Sequence, residues 1–235
     1  LHPRVRRQRQ MCIRDRTNFE LIYRITFIIV SFIGIIIHFD INDKNYNTHE
    51  FSFFTIQSNI FCLVVMCLLL IKHFSKKDER TRLMMYFKGM GLSCIICTFL
   101  VYHFAECRVV YPIYVKGLFS IPLESLLAHY VSPLMYVLDW ILFQPKGYFK
   151  FYHIFTWLAF PLFYILCFIT RCCCNAPSAF LSVPKYPYFF LDYETIGYFK
   201  CLSYILVLMG ILLAINAFIV AADYLMYRFS NKKSH

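Results

Sequence analysis

The sequence predicts an all-α fold, a polytopic membrane protein whose six transmembrane helices form one bundle. Three observations carry this expectation. Hydrophobic residues fill 60% of the 235 positions and charged residues only 16%, against about a quarter in ordinary soluble domains. The apolar residues are gathered into blocks of about 18 to 24, the helical length that crosses roughly 30 Å of hydrocarbon. Lysine and arginine are concentrated in alternate connecting loops, the pattern that orients membrane helices.

The chain opens LHPRVRRQRQMCIRDR, with six arginines against Asp15. This stretch resembles translated sequencing-adapter read-through, so residues 1–16 are expected to be a non-native opening and 17–235 a single transmembrane domain. Setting aside those six arginines and one aspartate lowers the formal net charge from +11 to +6. No basic stripe interleaved with aromatics remains to indicate a nucleic-acid partner.

The predicted helices are Leu21 to Ile37, Phe51 to Ile71, Met84 to Phe104, Ser125 to Phe143, Phe151 to Thr170 and Tyr198 to Tyr224. Their β-branched and aromatic residues would favour strands in water. The uninterrupted lengths favour helices, because in lipid each segment must satisfy its own backbone. No small-residue cleavage site follows the first block, which is therefore expected to remain as a signal anchor. Lys72, Lys76, Lys77, Arg80 and Arg82 join blocks two and three, and Lys146 and Lys150 join four and five. With Arg228, Lys232 and Lys233 after the sixth block, this places both termini in the cytoplasm of a cell whose plasma membrane the protein spans. The longer opposite loops hold only Lys44, Arg108, Lys116, Arg171 and Lys185.

Cys62, Cys67, Cys94, Cys97, Cys167 and Cys201 fall within or at the ends of apolar blocks and act as small hydrophobes. The run Cys172, Cys173, Cys174 is compatible with a disulfide to Cys107, a metal site, acylation or an incidental helix-end cluster.

Polar residues inside the blocks mark the candidate site. In the fourth block Ser125, His129, Ser132, Tyr136 and Asp139 form one stripe, with Leu127, Val131, Leu134, Leu138 and Ile141 left for lipid. Pro133 is expected to kink that helix beside the stripe. In the second block Ser52, Thr55 and Asn59 share a face, with Ser58 alongside and Gln57 turned away. If both blocks enter from the outer side, Thr55 and His129 lie at matching depth. His103, at the outward end of the third block, and Asp192 and Glu194, before the sixth, then approach the same layer, implying a polar cavity toward the outer leaflet. Asp139 and Asp223 lie toward the cytoplasmic ends and are expected to pair with loop lysines, while Asn216 adds a further intramembrane amide. For the serines and Tyr136 the plain reading is interhelical hydrogen bonding.

Three segments carry a family resemblance: FFTIQSN at residues 53–59, HYVSPLMYVLDW at 129–140 followed by FQPKG, and YPYFFLD at 186–192. Together they resemble the prokaryotic six-helix branch, written "Pr-six-Pr", of the androgen-induced-protein-like membrane family, over nearly the whole chain after the opening. Eukaryotic members of the wider family are membrane hydrolases of fatty acid esters of hydroxy fatty acids, with a threonine nucleophile and a histidine. The resemblance therefore implies Thr55 as nucleophile, His129 as its partner and a lipid ester as substrate. Phe189 stands where the family pattern has a second proline, and the spacing from His129 to Pro133 is one residue tighter than in the eukaryotic proteins.

In such a reaction a neutral His129 takes the Thr55 proton, Ser58 or Asn59 donates to the oxyanion, and Asp192 orients the imidazole. Two other readings stand beside it. A zinc-dependent hydrolase would gather His103 and His129 with Glu106, Asp192 or Glu194, but there is no H-E-x-x-H and only two histidines are well placed, so no metal and no cofactor is expected. A non-enzymatic lipid-binding, transport or scaffold protein would use the polar stripe for packing or permeation, although no inverted repeat accompanies it. Membrane lipids are the expected partners, and no segment signals a protein partner. The absence of G-x-S-x-G excludes a conventional lipase elbow.

Overall fold

The computed structural model describes residues 3–39, 48–75, 81–106, 121–173 and 186–232. Helix α1 is Pro3–His38, of which Asn18–His38 is apolar enough to span a membrane. Helix α2 is Phe54–Phe74, and α3 is Arg82–Val101, continued by a π turn at Tyr102–Glu106. Helix α4 comprises Leu123–Leu126, a π turn at Leu127–Val131, and Ser132–Leu142. Helix α5 comprises His153–Thr156 and Ala159–Cys173, and α6 is Tyr198–Lys232. The described residues thus contain six helices long and apolar enough to cross a bilayer, and the chain is an all-helical, multi-pass membrane protein.

Large apolar side chains such as Phe163, Phe199 and Phe218 face outward, the reverse of a soluble protein and the expected outer surface in lipid. Helix α3 is the axis: 67% of its span is buried, against 22% for α5 and α6. It packs on α2, α4 and α6. Two glycines make this close packing possible. A Cβ at Gly89 would run into the Trp157 ring of α5, and one at Gly91 would stand 2.7 Å from the Tyr136 hydroxyl of α4. Small residues serve the same purpose in membrane helix pairs generally, because lipid gives helices no hydrophobic drive to associate.

Two prolines explain where α4 and α5 depart from regularity. Pro133 has no N–H for the His129 carbonyl, and α4 widens into its π turn over the preceding residues. Pro161 likewise offers nothing to the Trp157 carbonyl, and α5 is interrupted by a turn at 157 and 158. The π turn alters the face that α4 presents. Ala128, His129 and Tyr130 are buried in succession, and Leu127 packs against Gly34 of α1 instead of facing lipid. From Ser132 onward the expected faces hold: Ser132, Tyr136 and Asp139 are buried, while Leu134, Leu138 and Ile141 are exposed.

The start of α2 also differs from the predicted block. A 3-10 turn at Thr48–Ser52 precedes it, so Thr55 lies in the first turn of the helix and not one turn below its start.

Candidate functional site

A cavity of about 80 Å³ lies between α2, α3, α5, α6 and the segment before α6. Its wall is mostly apolar, and the hydroxyl-bearing residues Thr55, Thr98, Tyr102, Tyr164 and Tyr188 are among those that line it. Several of these hydroxyls are engaged in the scaffold. Thr98 shares a 2.9 Å hydrogen bond with Ser58, and Tyr164 donates to the Ser52 carbonyl at 2.8 Å. Tyr188 accepts from the Phe54 N–H at 3.0 Å, which ties the YPYFFLD segment to the first amide of α2. The Thr55 hydroxyl makes no hydrogen bond to any described residue, and only its carbonyl is engaged.

His129 is buried in the π turn of α4. Its Nδ1 lies 3.1 Å from the Ser125 carbonyl, an atom that can only accept, so Nδ1 carries the hydrogen and Nε2 the lone pair. The imidazole stacks on Tyr102 with ring centroids 3.7 Å apart. Tyr102 opens the π turn of α3, and the next residue, His103, pairs its Nδ1 with the Tyr130 hydroxyl at 3.0 Å. Two π turns therefore meet at this end of the bundle, a distortion that recurs at functional sites because it re-aims side chains.

Thr55 and His129 share no hydrogen bond. Two other residues connect them. Asn59 Nδ2 donates both to the Thr55 carbonyl at 2.9 Å and to the Ala128 carbonyl at 3.1 Å, bridging α2 to the residue before His129. Tyr102 lines the cavity beside Thr55 while its ring contacts the imidazole.

The remaining sequence-predicted residues take structural partners. Ser58 donates to the Thr55 carbonyl at 2.9 Å, so with both hydrogens of the Asn59 amide also used, neither residue presents an unused donor. Asp192 caps the short helix Tyr193–Ile196, accepting from the Thr195 amide at 3.1 Å and the Thr195 hydroxyl at 2.6 Å, while the Ser125 carbonyl orients His129. Ser132 bonds Ser31 of α1 at 3.1 Å, and Asn216 donates to the Ile154 carbonyl at 2.9 Å, joining α6 to α5. The side chain of Glu106, and Cys107 and Cys174, fall outside the described residues. Among the described residues no three His, Cys, Asp or Glu side chains converge as metal ligands.

Asp139 corrects the expectation of a loop-lysine partner. It is fully buried, with Lys88 Nζ of α3 at 2.7 Å and Arg24 Nε of α1 at 3.2 Å. Arg24 in turn meets Glu20 at 2.6 Å. Lys88 is 1% exposed and Arg24 5%, so neither head group reaches water and an internal counter-charge is required. The Lys88 ammonium also lies 3.6 Å above the Tyr136 ring and 3.4 Å from Met66 Sδ. Asp223 differs: it accepts from the N–H groups of Gly147 at 2.8 Å and Phe149 at 3.1 Å, fixing the loop between α4 and α5, and the loop lysine Lys146 acts on it electrostatically. Sequence reasoning passed over Lys88 and Arg24. Each is a lone cation inside an apolar block, and their shared depth with Asp139 was the available signal.

Fold and site together define a multi-pass membrane protein with six candidate spans, a hydroxyl-bearing apolar cavity at one end and a buried ion cluster toward the other. No family model matches the chain, and neither a curated protein nor a solved structure does.

Proposed function

We propose that the protein is a membrane-embedded lipid-ester hydrolase with Thr55 as nucleophile and His129 as general base, in the six-helix branch that its three motif segments resemble. The observation that carries this reading is the unbonded Thr55 hydroxyl in the wall of an apolar cavity. An acyl chain fills the apolar part and sets its ester carbonyl at Thr55. His129 Nε2 takes the hydroxyl proton as Oγ1 attacks, the acyl–oxygen bond breaks, and the leaving alcohol receives that proton from the imidazole. Water then attacks the threonyl ester by the same proton route, releasing the fatty acid and restoring Thr55. The Tyr102 ring turns aside for Nε2 to reach the hydroxyl, and catalytic hydrogen bonds commonly tighten only when substrate is bound. With Ser58, Asn59 and the Phe54 amide engaged, the next N–H groups of the first turn of α2, those of Thr55 and Ile56, are the oxyanion donors, since a helix start leaves such groups without intrahelical partners. Contact of FFTIQSN with YPYFFLD through Tyr188, and of Asn59 with the residue before HYVSP, supports one site built from all three segments.

A second reading, a non-catalytic lipid-binding protein, draws support from the missing hydrogen bond between Thr55 and His129. Labelling purified protein with a fluorophosphonate hydrolase probe, followed by peptide mapping, separates the two. Label on Thr55 that disappears in His129→Ala supports the hydrolase. Capture of a photoreactive fatty acid at the cavity without any probe label supports lipid binding alone. We further propose cytoplasmic termini in the plasma membrane, on the lysine and arginine distribution. A reporter fused after His235 then reads cytoplasmic and one at Asn45 external, and a cytoplasmic signal at Asn45 contradicts this topology.

A further inference from the structure

At the bundle end away from Thr55, a groove of about 650 Å³ opens between the start of α3 and the loop that joins α4 to α5. Its described lining includes Arg82, Lys150, His153, Tyr86, Tyr148 and Tyr152, and no carboxylate. Arg82 is exposed and makes no ion pair or hydrogen bond with any described residue. The Lys150 ammonium has only the Gly147 carbonyl, at a distant 3.5 Å. His153 Nδ1 accepts from the Lys150 N–H at 3.0 Å, which leaves its hydrogen on Nε2 as a donor. The hydroxyls of Tyr148 and Tyr152 make no hydrogen bond to any described residue.

The groove is also held in shape. Gly147 adopts φ +85°, a conformation that favours glycine, and a Cβ there would stand 2.8 Å from the Tyr227 ring. Asp223 pins the same loop through the Gly147 and Phe149 amides. A site fixed in this way loses little freedom on binding. Leu83, Phe151, Tyr152 and Phe155 are exposed around it, an arrangement typical of the level where lipid head groups begin.

We propose that this groove binds an anionic phosphate group, presented either by an acidic phospholipid of the adjoining leaflet or by a soluble phosphate. A forked guanidinium, an ammonium, a ring N–H and two hydroxyls around one opening match the oxygens of a tetrahedral oxyanion. The proposal is independent of any reaction at Thr55.

The test uses the full chain in nanodiscs of phosphatidylcholine, with titrations of phosphatidylglycerol and, separately, of inorganic phosphate, read as the shift in melting temperature. Each of Arg82→Gln and Lys150→Gln is expected to weaken binding about fivefold, as for one cation lost near an anionic surface. Arg82→Lys and a control pair at the C-terminus, Lys232→Ala with Lys233→Ala, should retain most of the effect. A response to phosphatidylglycerol alone identifies a lipid headgroup, and a response to inorganic phosphate identifies a soluble ligand. Equal binding by wild type and the Arg82→Gln/Lys150→Gln double variant, or equal loss in the control pair, overturns the proposal. A photoreactive phosphatidylglycerol on wild type provides the check that needs no variant: crosslinks at Tyr148 or Tyr152 support the site, and crosslinks confined elsewhere together with no response to inorganic phosphate overturn it.

Discussion

Asp139 stands between Lys88 and Arg24 with both carboxylate oxygens in ion pairs, whereas Thr55 lines an apolar cavity and its hydroxyl has no hydrogen bond to any described residue. Both groups are polar and both lie inside the bundle. The difference is one of satisfaction. In the ion cluster each charge has a counter-charge from another helix or another turn, so the cluster ties α1, α3 and α4 together at one depth. At the cavity Ser58 and Thr98 are bonded to each other, Ser58 and Asn59 bond backbone carbonyls, and the Thr55 hydroxyl is left for a ligand. Polar groups in lipid are costly unless paired, so a paired cluster reads as structure and an unpaired hydroxyl in a cavity as an offer of chemistry.

That contrast is broken most severely by Asp139→Ala, which leaves Lys88 and Arg24 buried with one counter-charge fewer. Unfolding of the purified protein should show a loss of about 3–5 kcal/mol, and the Lys88→Met/Asp139→Leu pair should recover most of it. A loss below about 1 kcal/mol for the single change would show that the cluster is solvated and not structural. Next in size is Gly91→Ala, whose methyl meets the Tyr136 hydroxyl and should cost about 1–3 kcal/mol by overpacking. Combining it with Tyr136→Phe should restore part of the melting temperature, and no recovery would locate the strain elsewhere. Asn59→Leu removes the bond to the Ala128 carbonyl that joins α2 to α4, along with one to Thr55 within α2, and should cost about 1 kcal/mol, near the value of polar contacts between membrane helices. Deletion of residues 1–16 should change membrane insertion least of all. Failure of the shortened chain to insert in a matched expression test would make that segment part of the fold.

Much of the architecture is legible in the sequence because block length and the position of each polar residue are local properties. The stripe Ser132, Tyr136 and Asp139 and the exposed Leu134, Leu138 and Ile141 follow from helical period alone. What escaped depends on residues distant in the chain or on averaging. The start of α2 is shaped by Tyr188, more than a hundred residues away, whose hydroxyl meets the Phe54 amide. Lys88 and Arg24 vanish within windows of strong hydropathy, although a single cation in such a window is the feature that demands a partner. The π turn was half-legible: Pro133 announces a disturbance, but not that it would bury Ala128, His129 and Tyr130 together. For Asp192 the legible local signal is Thr195 three residues on, whose amide and hydroxyl both bond its carboxylate in a helix cap.

The central claim, that the satisfied cluster holds the bundle and the unsatisfied hydroxyl acts, is tested most directly by measuring lipid-ester turnover and melting temperature together in Thr55→Ala, His129→Ala and the double variant. The account predicts that each single change abolishes turnover and that the double loses little more, as expected of residues acting as one unit. Thr55→Ala, which removes no hydrogen bond in the unliganded protein, should also leave the melting temperature close to that of the wild type. Wild-type turnover in Thr55→Ala would contradict the account.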